Sequence, residues 1–270
     1  MSTTPTICSS DGAAMAFFRA MLLQPREKGE IPSIAMTDET ARDIQLIWAS
    51  IEGFKDSWPG SRNIFFPGKP VDRKEFWGAF AKDHKSALLP IVGEFVGESS
   101  GEGKTAIDLG CGDSPVTPLL LQKGWRVIAV DNSRSSLEML ASQNSEAVVS
   151  RKLMIVEEDV AAFTPSEPAD LVVAADILPY TNPAQFRATW AKIHDTCVKP
   201  GGFFGGSLFR SSDNLFLMNM MKEMGAWFLW DRRMVRPLLT SVGYDIKVCK
   251  YRIDDPQEEP VCIQFIAQKI

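Results

Sequence analysis

Residues 105–131 constrain the fold of this chain more than any other stretch of its sequence. A short apolar run, 106–109, leads into the glycine turn 110–112, and a second apolar run, 127–130, ends at Asp131. Apolar runs of this length, bounded by turn residues, suit strands that are buried on both faces of a sheet. The stretch therefore predicts a strand, a glycine turn, a helix and a second strand that ends in an acid.

The turn between these two strands has the features of a cofactor site. Ser114 and Pro115 are typical of the first residues of a helix, and Gly124 is typical of its end. Helix starts present unpaired N–H groups, and glycines let a ligand approach the backbone, so the turn should hold a polar or anionic part of a cofactor. Asp131 lies about 20 residues further on, where a carboxylate can accept both hydroxyls of a ribose. We therefore expect a cofactor that carries a ribose.

Strands and helices continue to alternate after this stretch. The further predicted strands are residues 153–156, 171–175, 203–209, 245–252 and 261–268. Helical segments separate all of these strands except the last two, which only a turn joins. Parallel strands need a crossover connection, whereas a turn joins antiparallel ones. We therefore expect an α/β fold with a doubly wound, mostly parallel seven-stranded sheet whose last strand is antiparallel.

The first hundred residues predict a helical arm. Thr37 and Asp72 are typical of helix starts, and apolar residues at helical spacing follow each of them. Residues 98–104 are rich in Gly, Ser and Glu, which is typical of a linker. We therefore expect a helical N-terminal arm or lid at residues 1–98 and a Rossmann-like domain at residues 99–270.

Composition excludes several classes of function. The net charge of −5 leaves no basic excess for general nucleic-acid binding. Five cysteines without paired spacing indicate reduced thiols and a cytoplasmic protein, and no metal-binding spacing occurs. The apolar run 13–23 is interrupted by Arg19 and is too short to cross a bilayer, so we expect no membrane association. The oligomeric state cannot be read from the sequence.

Several motifs resemble those of class I S-adenosylmethionine-dependent methyltransferases, over about residues 76–270. Residues 108–112, DLGCG, are similar to the acid-x-Gly-x-Gly motif of the family. Residues 199–202, KPGG, resemble the turn before its fifth strand, and residues 242–244 resemble the Gly-aromatic entry to its sixth. The motifs occur in the family's order, which is more specific than any one of them alone. Ser114 departs from the pattern, because the family often has a third glycine there.

The resemblance implies S-adenosylmethionine as the cofactor. It implies that the glycine turn wraps the methionine half, that Asp131 holds the ribose hydroxyls, and that Asp159 with Val160 flanks the adenine. The cofactor-binding residues expected on this basis are Asp108, Gly110, Cys111, Gly112, Asp131, Asn132, Asp159, Val160 and Ala175.

The acceptor side of the expected site is less defined. Asp176 and Tyr180, after the fourth strand, are the candidate catalytic residues, although Asp176 would also fit a purely structural role as a helix or loop cap. The amino-methylating branch usually has Asn/Asp-Pro-Pro-Tyr/Phe here, whereas this chain has DILPY at 176–180, so it looks more like the branch acting on small molecules. Two Met- and aromatic-rich segments suggest a lid over a small, apolar or aromatic acceptor. The candidate substrate residues are Phe65, Phe66, Trp77, His84 and Trp227.

Three alternatives stay open at this point. An NAD-dependent oxidoreductase shares the glycine turn and the ribose acid, but Pro115 stands at the third glycine of its fingerprint and no Tyr-x-x-x-Lys occurs. A methyltransferase-like protein that binds a partner without turnover is the second alternative. A methyltransferase that acts on a protein or peptide is the third.

Overall fold

The computed structural model describes residues 90–97, 100–113, 115–181, 183–210, 229–230, 232–252 and 262–270. The expected helical arm, apart from its last eight residues before position 98, lies outside these ranges. In chain order the elements are α1 (Pro90–Gly97), β1 (Thr105–Leu109), α2 (Val116–Gln122), β2 (Arg126–Asp131), α3 (Arg134–Gln143), α4 (Ser145–Val149), β3 (Leu153–Glu157), β4 (Ala169–Ala174), α5 (Pro183–Lys192), β5 (Val198–Arg210), β6 (Leu229–Trp230), α6 (Arg232–Ser241), β7 (Tyr244–Arg252) and β8 (Cys262–Lys269).

One sheet contains all of these strands. Their order is β3-β2-β1-β4-β5-β8-β7, and the two-residue β6 pairs with the end of β5. β8 pairs antiparallel with both β5 and β7, whereas every other pairing between the described strands is parallel. The predicted seven-stranded sheet with an antiparallel last strand is therefore confirmed, with β6 as an addition. The strand order reverses between β1 and β4, and sheets of this kind bind ligands beyond the carboxyl ends of the strands at such a point.

Both faces of the sheet are covered by helices. On one face, Phe186 and Trp190 of α5 and Leu238 of α6 pack in a cluster with the central strands. On the other face, α1, α2 and α3 cover the strands, and the α1 residues Ile91 and Val92 are fully buried there. The central strands are buried on both sides, which explains their continuous apolar sequence. Helix α1 thus belongs to the core although the expected boundary at residue 98 assigns it to the arm.

The KPGG segment, residues 199–202, differs from its expected form. The sequence predicts an exit turn before β5, whereas the structure includes these residues in β5. Ala169 of β4 pairs with Val198, but Leu171 pairs with Phe203, so the register shifts between the two strands. Gly201 has a φ of 75°, which glycine adopts at little cost. The extra residues form an irregularity in the strand instead of a separate turn.

The helix after the glycine turn matches its predicted end. Helix α2 begins at Val116, after Pro115, while Ser114 lies outside the described residues. Gly124 has a φ of 88°, and its N–H donates to Leu121. A left-handed glycine directly after a helix is the expected stop signal. The strand, turn, helix and strand predicted for residues 105–131 are therefore present.

Candidate cofactor and acceptor site

Backbone hydrogen bonds tie the glycine turn to the end of β2. The N–H groups of Gly110 and Cys111 both donate to the carbonyl of Val130, over 2.8 and 3.0 Å. The N–H of Gly112 donates to Oδ2 of Asp131 over 2.9 Å. All three amides of the turn are thus paired within the protein. These amides therefore offer no unpaired N–H to a ligand, and the expectation that the turn holds a polar or anionic part of the cofactor stays a prediction.

Asp131 is held in place by backbone amides on both sides of the expected ribose site. Its Oδ1 accepts from the N–H of Ser133 over 2.7 Å, and Ser133 is also the N-cap of α3. Burial raises the pKa of Asp131, hydrogen bonds from the Ser133 and Gly112 amides oppose this, and the nearby charge of Asp113 adds to it. A carboxylate has about four acceptor sites. Asp131 therefore keeps the capacity to accept hydroxyl donors from a ribose.

Gly112 leaves open space in front of Asp131. It has a φ of 46°, and among the described residues a Cβ built on it would meet only Oδ2 of Asp131, at 3.9 Å. Cys111 beside it is buried, and burial raises the pKa of its thiol far above the usual range, so it fills space as a neutral group. The turn thus presents bare backbone next to a carboxylate, which fits close approach by a cofactor.

Asp108 lies beneath the turn as a fully buried carboxyl group. The hydroxyl of Thr117 on α2 donates to its Oδ2 over 2.7 Å, while its Oδ1 has no partner among the described residues. Burial raises the pKa of Asp108 to about 7; the Thr117 hydrogen bond opposes this shift, and the charge of Asp131 increases it. Such an oxygen is suited to face a donor or a positive charge.

The loop after β3 lies beside the end of β2. The N–H of Glu158 donates to the carbonyl of Asp131, and Oδ1 of Asp159 accepts from the N–H of Ala161 over 2.7 Å. Lys192 at the end of α5 donates to the carbonyls of Val160 and Ala161, over 3.3 and 2.5 Å. Lys192 has no distinctive sequence signal, because a lysine in the last turn of a helix is common.

The loop after β4 packs directly on the glycine turn. A Cβ on Gly110 would lie 2.5 Å from Cγ1 of Ile177, so only glycine permits this contact. Asp176 has a φ of 53°, and its N–H donates to Oγ of Ser207, which in turn donates to its Oδ1. Tyr180 ends a short 3₁₀ turn and is half-buried. The contact brings both candidate catalytic residues to the edge that carries the cofactor candidates.

Ser207 is a site residue that the sequence does not reveal. It stands in the predicted strand 203–209 and is fully buried there. A serine in an apolar strand has no specific sequence signal, since its partner is 31 residues away.

The expected cofactor residues therefore lie together at the carboxyl ends of β1 to β4, with exposed Asn132 and half-buried Ala175 among them. The candidate substrate residues Phe65, Phe66, Trp77, His84 and Trp227 lie outside the described residues. Within the described ranges, no group of three or more His, Cys, Asp or Glu side chains has the arrangement of a metal site.

Comparisons with known proteins agree with this geometry. Residues 106–202 match the family model described as methyltransferase domain. A trans-aconitate 2-methyltransferase of Azoarcus sp. is 29% identical over 155 residues, 53% of this chain and 54% of that protein. A ubiquinone biosynthesis O-methyltransferase of Hydrogenovibrio crunogenus is 32% identical over 130 residues, 47% of this chain and 51% of that protein. The chain thus spans about half the length of the curated relatives it matches.

A solved structure shows the same fold. The 1,6-didemethyltoxoflavin-N1-methyltransferase of Burkholderia thailandensis, solved with S-adenosylhomocysteine bound, superposes with a TM-score of 0.56 and 16% identity. The match covers 88% of this chain and 93% of that one. Among the described residues no helix is long and apolar enough to cross a membrane. The cytoplasmic location and the lack of general nucleic-acid binding stay predictions.

Proposed function

Because the chain carries a class I S-adenosylmethionine-dependent methyltransferase domain, we propose that the protein transfers the methyl group of S-adenosylmethionine to a small, apolar or aromatic acceptor. The family match confirms the resemblance identified from the sequence, and with it S-adenosylmethionine as the cofactor. The acceptor class is our proposal. The curated relatives are named for trans-aconitate and for ubiquinone biosynthesis, which supports a small acceptor.

The charge around the glycine turn is the observation that supports the proposal most. Asp108 and Asp131 flank the turn, and Asp113 is close enough to raise the pKa of Asp131. The amides of residues 110–112 are all paired within the protein. Among the described residues of the turn, a pyrophosphate would find neither a free amide at 110–112 nor a positive charge, whereas a sulfonium and an ammonium group suit nearby carboxylates. The turn therefore favours S-adenosylmethionine over a nicotinamide dinucleotide.

The residues present fit the cofactor in three places. We expect Asp131 to hold the ribose hydroxyls, Asp159 and Val160 to flank the adenine, and the glycine turn to contact the methionine half. The bound cofactor supplies an electrophilic methyl group on a positively charged sulfur. The loop after β4 is then the part of the chain that faces the transferred group.

The main catalytic contribution expected from this protein is to hold the acceptor in line with the methyl group. Holding two reactants in line contributes about 7–11 kcal/mol, so a strong general base is not required. Asp176 and Tyr180 are the residues we propose to orient the acceptor or receive its proton. The hydrogen bonds of Ser207 to Asp176 support such a role, because they fix both its backbone and its carboxylate.

Calorimetric titration with S-adenosylmethionine and NAD tests the cofactor part. We expect the wild type to bind only S-adenosylmethionine and Asp131→Ala to lose most of that affinity. Asp170→Ala is the matched control, because Asp170 contacts Lys199 and Thr105 at the opposite end of the sheet. Unchanged affinity in Asp131→Ala would show that the ribose is placed wrongly.

Turnover with radiolabelled S-adenosylmethionine tests the acceptor part. A panel of small carboxylic acids, phenols and heterocycles is compared with a peptide library. Methylation of a panel compound supports the proposal. Methylation of peptides alone favours the protein-directed alternative, and cofactor binding without any transfer favours the inactive binding protein.

A further inference from the structure

Gln264 is a fully buried amide in the middle of β8, and neither of its polar side-chain atoms has a partner among the described residues. Its register partners are Ser207 on β5 and Lys250 on β7. Native proteins rarely keep a buried amide unpaired, because its loss of hydration is then uncompensated. Gln264 has no distinctive signal in the sequence. One polar residue in an apolar run is also compatible with an edge strand, where its side chain would be exposed to solvent.

The side chain of Gln264 lies on the same face of the sheet as the group around Asp176. Side chains two residues apart in a strand share a face, so Gln264 faces the same side as Cys262. The thiol of Cys262 lies 3.8 Å from Oδ1 of Asp176, and Oγ of Ser207 donates to that same oxygen. Neighbouring strands are about 5 Å apart, which places Gln264 roughly 10 Å from β4. This is a span that a small ring compound can bridge.

The surroundings of Gln264 indicate a neutral ligand group. Among the described residues, the cation beside Gln264 in the register is Lys250, which donates to both carboxylate oxygens of Glu94, over 3.1 and 3.0 Å. Its charge is therefore already compensated. A primary amide offers a donor and an acceptor side by side. The group that complements both is a carbonyl next to an N–H, as in an amide or a lactam.

We propose that Gln264 determines acceptor specificity by hydrogen bonding to a neutral carbonyl and N–H edge of a planar ring. The inference rests on the proposed function, because the bound ring is the methyl acceptor. It narrows that acceptor from an aromatic compound to one with a lactam-like edge. Gln264 recognises this edge while the loop after β4 faces the atom that receives the methyl group.

Binding of model lactams to the full-length protein saturated with S-adenosylhomocysteine tests the inference. The probes are 2-pyridone, 2-quinolone and phenanthridinone, each compared by calorimetry with its N-methyl derivative, which lacks the donor. We expect the wild type to bind at least one lactam about tenfold more tightly than its N-methyl form. Gln264→Met should abolish this preference. If no lactam is preferred, or if Gln264→Met keeps the preference, the inference is overturned.

Gln268→Met is the matched control. Gln268 is on the same strand and face, but its amide donates to the carbonyl of Gly201 at the other end of the sheet. We expect Gln268→Met to keep the lactam preference, and Gln264→Met to keep its affinity for S-adenosylhomocysteine and its melting temperature. If Gln264→Met lowers only the melting temperature, the amide is structural and the inference fails.

The binding and turnover experiments distinguish failure of the proposed function from failure of the proposed role of Gln264. If lactams bind through Gln264 but no small compound is methylated, the proposed function is refuted while the binding result stands. If a small acceptor is methylated equally well by the wild type and by Gln264→Met, only the role of Gln264 is refuted.

Discussion

The hydroxyl of Ser207 holds both the backbone and the side chain of Asp176. Its oxygen accepts from the Asp176 N–H over 2.8 Å, and its proton is donated to Oδ1 over 2.7 Å. Asp176 has a φ of 53°, in the left-handed region that non-glycine residues seldom occupy. Because Asp176 lies two residues after the end of β4, Ser207 fixes a candidate catalytic residue from the neighbouring strand.

Ser207→Ala should reduce both stability and activity. The part-buried N–H of Asp176 loses its Ser207 acceptor, so we expect the free energy of unfolding to fall by about 0.5–1.5 kcal/mol. Displacement of Asp176 should lower kcat by roughly 10- to 100-fold, with whichever acceptor the panel identifies. Ser241→Ala is the control, because Ser241 donates to Leu238 within α6, away from the site. An unchanged kcat for Ser207→Ala would contradict the positioning role.

Gly112→Ala should weaken cofactor binding more than stability. An alanine at a φ of 46° costs about 1–2 kcal/mol of conformational strain, and its Cβ would occupy the space before Asp131. We expect the Kd for S-adenosylmethionine to rise about tenfold or more, measured by calorimetry. Gly201→Ala has comparable strain, with nothing within 4 Å of its Cβ, and should lose stability alone. Equal Kd values for the two variants would show that the cofactor does not approach Gly112.

Asp108→Asn should change how stability depends on pH. The pKa of Asp108 rises from 3.8 to about 7 on folding, so the folded state holds a proton that the unfolded state releases in this range. Wild-type stability therefore falls as pH increases from about 4 to 7, and this contribution is constant above 7. Chemical denaturation should show Asp108→Asn gaining stability relative to the wild type over that interval. A pH-independent difference between the two proteins would refute the raised pKa.

Asp170→Asn should show the opposite trend. Burial alone would raise the pKa of Asp170, but hydrogen bonds from Lys199 and Thr105 lower it overall. Its contribution to stability is thus present above the unfolded pKa and is lost as pH falls through the folded value. We expect Asp170→Asn to be destabilised at neutral pH and to match the wild type in acid.

Lys192→Met should weaken S-adenosylmethionine binding without preventing folding. The carbonyls of Val160 and Ala161 would lose their donor, and the loop expected to flank the adenine would loosen. Calorimetry should show a Kd increase of about tenfold. Lys269→Met is the control, since Lys269 donates to the carbonyls of His194 and Val198 at the opposite end of the sheet. If both variants bind the cofactor like the wild type, Lys192 has no positioning role.

Local sequence patterns predicted the secondary structure well where a residue had a single structural interpretation. Gly124 ends α2, as the conformational preference of glycine requires. The KPGG segment was less predictable, because the same glycine and proline residues suit a turn or a strand irregularity. Its pairing with β4 decided between the two.

The cofactor side of the site follows from short-range sequence, whereas the acceptor side does not. The glycine turn and Asp131 are 19 residues apart and are joined by one helix, so a strand-helix-strand unit brings them together. Ser207, Lys192 and Gln264 are placed by pairings between distant segments. Only the register of the sheet reveals which polar side chains share a face.

The sequence by itself predicted the fold and a cofactor that carries a ribose, because periodicity, turn residues and the spacing of Asp131 are local properties of the chain. S-adenosylmethionine as the donor followed from the resemblance of its motifs to those of class I methyltransferases. The tertiary structure decided two things that local properties do not contain. It showed that the amides of residues 110–112 are already paired within the protein. It also placed Gln264 and Ser207 beside each other on one face, because β8 inserts antiparallel between β5 and β7.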